Sequence, residues 1–163
     1  MKIIKILRGK SKAGFTASNG DVYGDVCEVI DSKYTDVICH TDYCNSDATA
    51  GYNGGKLADG IYYGIVGKHK GRYKAFKLFA PVPDDRLAAI KNESDLSEAD
   101  RTLPSSIPNP NHGGKMIIQY VNIHKGGENW DWSHGCITIL GENFDRLMTY
   151  FGMNEIAIVE VIS

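Results

Sequence analysis

The first half of the chain alternates short runs of β-branched and aromatic residues with Gly, Asn and Asp, the pattern of strands joined by turns. Ile3 to Leu7, Asp21 to Ile30, Asp36 to His40 and Gly60 to Val66 are the clearest runs, and Asn19-Gly20 and Asn53-Gly54 mark turns. Strand character extends to about Phe79. All five prolines then fall between Pro81 and Pro110, which predicts a break in regular sheet. Within that window Asp84 to Lys91 and Leu96 to Arg101 have helical composition, and Leu103 to Gly114 reads as an irregular loop. Lys115 to His124 reads as a strand, Gly126-Gly127 as a turn, and Cys136 to Leu140 as a short strand or a buried segment. In Glu142 to Phe151 the apolar residues Phe144, Leu147, Met148 and Phe151 fall at i, i+3, i+4 and i+7, one face of a helix, with Gly152 as its expected C-cap. Ile156 to Ile162 predicts a last strand. Neither a repeat nor a linker divides the chain, so residues 1–163 are expected to form one mainly β domain with one or two helices.

Composition narrows the function classes. The 163 residues carry 18 Lys plus Arg against 20 Asp plus Glu, a formal charge of −2. With no excess of positive charge to neutralise phosphates, nucleic acid is not an expected partner. No window approaches the roughly 20 apolar residues of a membrane helix, so membrane insertion is not expected. Lysines interrupt the apolar residues of Met1 to Lys10 before a signal-peptide core forms, which predicts a cytoplasmic protein as encoded. Four cysteines, Cys27, Cys39, Cys44 and Cys136, in a chain of this size are expected to be reduced thiols rather than a disulfide framework.

Chemistry concentrates in one segment. Between Val121 and Ile139 lie both tryptophans, His124, His134 and Cys136. A thiol becomes a useful nucleophile when a nearby base takes its proton, and histidine is the usual partner. A strand ending in His124 and a return to Cys136 would bring the two together. Gly135 would leave backbone amides free to stabilise an oxyanion. Which histidine faces the thiol stays open at this level, since a shift of one residue reverses strand faces. The competing readings are a buried structural cysteine and a zinc site built from His124, His134 and Cys136. The zinc reading lacks a fourth ligand, and no metal or cofactor is expected. Trp130 and Trp132 alternate across Asp131 and suit either a substrate wall or a cover for the core. Cys39-His40 with Cys44 reads as ordinary strand, His112 as a loop histidine, and Lys68, His69, Lys70, Arg72 and Lys74 as a solvated hairpin.

The run Ser133-His134-Gly135-Cys136-Ile137, preceded by a strand-terminal histidine, resembles the signature of the L,D-transpeptidase catalytic domain, the YkuD-like family. The resemblance implies a β-sandwich or barrel of that type and a cysteine enzyme acting on peptidoglycan stem peptides or their muropeptides, as transpeptidase, L,D-carboxypeptidase or related wall hydrolase. It implies Cys136 as nucleophile, His124 as general base oriented by the carbonyl of Lys125, and Gly135 with Cys136 as oxyanion-hole backbone. Ser133 and His134 would support the motif. Apart from the resemblance, Trp130, Trp132 and Lys125 are the candidate substrate-binding residues, the two tryptophans fitting a core cover equally well. Leu57-Ala58-Asp59-Gly60-Ile61-Tyr62 also resembles a strand start of that family. Two features depart from the pattern. Only eight residues separate His124 from Ser133, and Thr138 stands where Arg or Asn is usual. The shorter spacing is similar to a phage-associated relative, for which lysis, a virion or dedicated secretion would bring the enzyme to the wall. The rival from another class is a non-catalytic wall-binding or virion module whose site has decayed.

Overall fold

A computed structural model describes residues 1–47, 54–127 and 136–163. Its strands are β1 (Ile3–Leu7), β2 (Phe15–Thr16), β3 (Val22–Tyr23), β4 (Asp25–Asp31), β5 (Asp36–Asn45), β6 (Gly60–His69), β7 (Tyr73–Phe79), β8 (Thr102–Asn109), β9 (Lys115–Gln119), β10 (Asn122–Gly126), β11 (Ile137–Leu140) and β12 (Ile156–Ile162). Two helices, α1 (Asp84–Ala89) and α2 (Gly141–Met148), complete a mainly β domain. Eight strands close into a barrel in the order β1-β12-β6-β7-β10-β11-β5-β4. Two neighbouring pairs are parallel, β1 with β12 and β10 with β11. β2-β3 and β8-β9 are separate two-stranded ribbons.

Period-two alternation decides what fills the barrel. Ile4 and Ile6 face inward beside Val159 and Val161, Phe76 beside Ile123, and Ile123 beside Ile137, all buried. Gly64 is needed in this interior, because a Cβ there would sit 3.2 Å from both Leu78 Cδ2 and Val159 Cγ2. At the end where β10 and β11 finish, α2 adds Phe144, Leu147 and Met148 to the core, followed by Phe151, whose ring meets Phe76 edge-on at 4.7 Å. Leu57, Leu103, Ile118 and Val121 close the other end. A second, smaller cluster of Ile65, Phe79 and Ile90 lies outside the barrel under α1, joined by Val82, Leu87 and Leu96.

Several boundaries differ from expectation. The proline-rich stretch from Leu103 is no irregular loop: Thr102–Asn109 is a strand paired with β9, and Leu57 bridges to Ser105. A two-stranded ribbon has an edge on each side, where the N–H that proline lacks costs no ladder bond. Leu96 to Arg101 forms turns, the helical residues being a short 3-10 turn at Glu93–Asp95 capped by Asn92. The expected strand Lys115 to His124 is two strands, broken at Tyr120, whose φ of 58° is left-handed. The run from Asp21 is likewise split at Gly24. Helix α2 ends on Thr149 rather than Gly152, whose N–H donates instead to Glu155. Asn53 lies outside the described residues.

One packing contact on β10 is unforgiving. A Cβ on Gly126 would collide with the hydroxyl of buried Tyr23 and meet Thr138 Cβ at 3.1 Å. Gly126→Ala is therefore expected to lower stability by about 1–3 kcal/mol, read as a lower urea midpoint. Gly152→Ala, with nothing within 4 Å, serves as the control. Equal midpoints for the two variants would contradict this packing.

Candidate active site

The register of the parallel pair β10 and β11 settles which residues share a face. Ile123 aligns with Ile137 and both point into the core, so Asn122, His124, Cys136 and Thr138 lie on the outer face. Lys77 joins them, since it aligns with Asn122 across β7. This outer face is nonetheless covered: His124 is 3% exposed and Cys136 9%.

His124 is held by one nitrogen and open at the other. Its Nδ1 lies 3.0 Å from the Lys125 carbonyl oxygen, the contact that the resemblance implied for a base. A carbonyl only accepts, so Nδ1 carries the proton and Nε2 presents its lone pair. That Nε2 is buried and, among the described residues, has no hydrogen-bond partner. Burial, with the neighbouring His69 next in weight, pulls His124 down to about 4, so the imidazole is neutral at neutral pH.

The Cys136 thiol accepts the Asn122 backbone N–H at 3.4 Å and lies 3.9 Å from the Tyr120 carbonyl. Burial pushes the thiol up, and it is opposed by the Asn122 N–H and by the positive charges of Arg101, Lys77 and Lys70. The resting pair is therefore thiol and neutral imidazole, with cations ready to stabilise negative charge on sulfur once it forms.

Among the described residues, four buried side-chain polar atoms lack a partner: His124 Nε2, Thr138 Oγ1, Asn45 Nδ2 and Arg101 Nε. His124 aligns with Thr138, and Thr138 with Asn45 on β5, so three of the four run in one row across adjacent strands. The guanidinium of Arg101 acts on Cys136 through its charge. An unpartnered buried polar group costs about 1–3 kcal/mol, so a row of them calls for an explanation. Strain points to the same place: Tyr120, left-handed without being glycine, supplies the carbonyl beside Cys136 and stacks under Arg101 at 5.6 Å.

Sequence reasoning placed two of the residues found here elsewhere. His69 was expected in a solvated hairpin; the hairpin forms, but the His69 ring lies flat on His124 at 4.1 Å and 8°. Arg101, expected in a helix, lies in a turn before β8 and is 7% exposed. Neither carries a local signal, because β6 reaches β10 only through β7, which pairs with both, and Arg101 reaches it only by packing of the turn before β8.

Other expected residues fall elsewhere. The Lys125 side chain lies on the opposite face of β10 from His124 and pairs with Asp145 at 2.8 Å, so its backbone reaches the site and its ammonium does not. Trp130, Trp132, Ser133, His134 and Gly135 lie outside the described residues. Cys39 and Cys44 belong to the core, whereas His40 pairs with Glu28 and Asp42 at the surface. His112 sits in the turn of the β8-β9 ribbon. All four cysteines are free of disulfides. Among the described residues no group of three His, Cys, Asp or Glu side chains could hold a metal, and no helix is long and apolar enough to cross a membrane. Compared with family models, curated proteins and solved structures, the chain matches none.

Proposed function

We propose that the protein is a cysteine-dependent acyl-transfer enzyme in which Cys136 attacks an amide carbonyl of a peptidoglycan stem peptide. The observation that carries this reading is His124: its Nδ1 is pinned by Lys125, and its buried, unpartnered Nε2 shares a face with the thiol. In the forward step Nε2 takes the thiol proton as sulfur bonds to the carbonyl carbon. The tetrahedral oxyanion then collapses, the C–N bond breaks, and His124 returns the proton to the leaving amine. The thioester left on Cys136 is resolved when water or an amine attacks, with His124 taking the incoming proton and sulfur leaving as the thiol. Arg101 and Lys77 stabilise the charge that sulfur acquires. The substrate class rests on the Ser133-His134-Gly135-Cys136-Ile137 resemblance, with transpeptidase, L,D-carboxypeptidase and wall hydrolase as the activities it includes.

One observation favours the rival reading of a wall-binding or virion module: burial holds the thiol protonated and the imidazole neutral, so no ion pair exists at rest. Incubating purified sacculi with wild type and with Cys136→Ala separates the two. New or released muropeptides are expected with wild type alone. Identical digests, together with sacculus binding by both proteins, would replace the enzyme with the module.

A further inference from the structure

We infer that His69 is a positioning residue for His124, oriented by a chain of hydrogen bonds that starts at Arg101 and passes through Asn122. The inference rests on the acyl-transfer reading for its purpose, but its geometry stands by itself. Arg101 Nη2 can only donate, and it does so to the Val121 carbonyl at 2.9 Å and to Asn122 Oδ1 at 2.8 Å. This fixes the amide of Asn122, so its Nδ2 is the end that faces His69 Nδ1, at 2.9 Å. An amide nitrogen donates. His69 Nδ1 must therefore carry a lone pair, which places the ring proton on Nε2 and leaves the ring neutral.

That neutral ring is the one stacked on His124. A flat neighbour resists rotation of the His124 ring about its Cβ–Cγ bond, and the Lys125 carbonyl resists a flip of its edges. Together they hold the ring in one orientation, with Nδ1 on the Lys125 carbonyl and Nε2 left unbonded on the face that also carries Cys136. Neutrality matters as well, since His124 becomes positive when it takes the thiol proton, and a second imidazolium at 4.1 Å would oppose that step. The other charges that act on the pair are Lys70 after β6 and Lys77 on β7, while Glu93 in the 3-10 turn, Tyr120 and Cys136 act on Arg101 at the start of the chain of bonds.

The test uses the full chain with 15N-labelled histidine. In wild type, nuclear magnetic resonance is expected to show His69 protonated on Nε2 and His124 on Nδ1. His69→Gln keeps an acceptor for Asn122 and removes the ring. It is expected to turn His124 into a mixture of tautomers and to slow acylation of Cys136 about ten- to a hundredfold in kcat with little change in KM. His69→Phe restores a flat neighbour and is expected to recover the single His124 tautomer and most of the rate. His69 protonated on Nδ1 in wild type, or a His124 tautomer indifferent to His69→Gln, would overturn the inference. If His69→Gln does not fold, Asn122→Asp provides the same reading: it converts the donor to an acceptor and is expected to move the His69 proton to Nδ1. The spectra need no substrate, so expected tautomers with no turnover would sink the enzyme while leaving the relay intact.

Discussion

Replacing His124 with glutamine is expected to slow acylation of Cys136 by about 10²–10⁴-fold, the ordinary contribution of a positioned general base. Glutamine keeps an N–H for the Lys125 carbonyl and much of the volume, but it offers no basic nitrogen where Nε2 stood. The loss should fall on kcat, because in the proposed mechanism His124 acts on the thiol proton rather than on the ground-state peptide. Alkylation of Cys136 by iodoacetamide supplies an independent measurement. With the thiol raised and the imidazole near 4, the wild-type rate should climb in one alkaline step. A plateau between about pH 5 and 8 would reveal a resting thiolate–imidazolium pair and contradict the electrostatics of this site.

The second large effect is on stability. His124 titrates at about 4 when folded and at the ordinary 6.5 when unfolded, so the unfolded chain binds the proton more tightly. Stability is complete above about pH 6.5 and falls as pH drops towards 4. The loss from this group amounts to about 3 kcal/mol. His69, also lowered by burial, adds in the same direction. The carboxylates held low by hydrogen bonds, Asp42 and Asp59 among them, lose their contribution further down, so the histidine window lies above theirs. Urea unfolding of wild type between pH 7.5 and 4 should show this slope, and His124→Gln should flatten most of it. Equal slopes in the two proteins would mean that His124 is not a buried neutral imidazole. Cys136 acts at the other extreme: raised when folded, it removes stability only as pH rises past the ordinary thiol value of 9.0.

What the chain reveals before folding depends on how local the cause is. The alternation of Ile156 to Ile162 and the spacing of Phe144, Leu147, Met148 and Phe151 are local patterns, and strand β12 and helix α2 follow them closely. Pro104 and Pro108 misled because their cost depends on whether a strand has an edge, which is a property of the sheet. Cys136 and His124 were legible from residue type and closeness in sequence. That they share a face was not, because it follows from a parallel register set by the packing of Ile123 against Ile137. Arg101 and His69 were the least legible, lying 23 and 55 positions from His124 in sequence and reaching it only across strands contributed by other parts of the chain.

The parallel pairing of β10 and β11 has an evolutionary corollary. In a hairpin, adding a residue to the turn shifts the alignment of everything after it. Parallel neighbours escape this constraint, since their alignment is held by side chains inside the barrel and the intervening chain only has to reach. Insertions and deletions between β10 and β11 can then be accommodated without shifting Ile123 from its place beside Ile137. The length of the connection and the register of the strands it joins become separately variable traits, and the short spacing between His124 and Ser133 is a statement about the first of them.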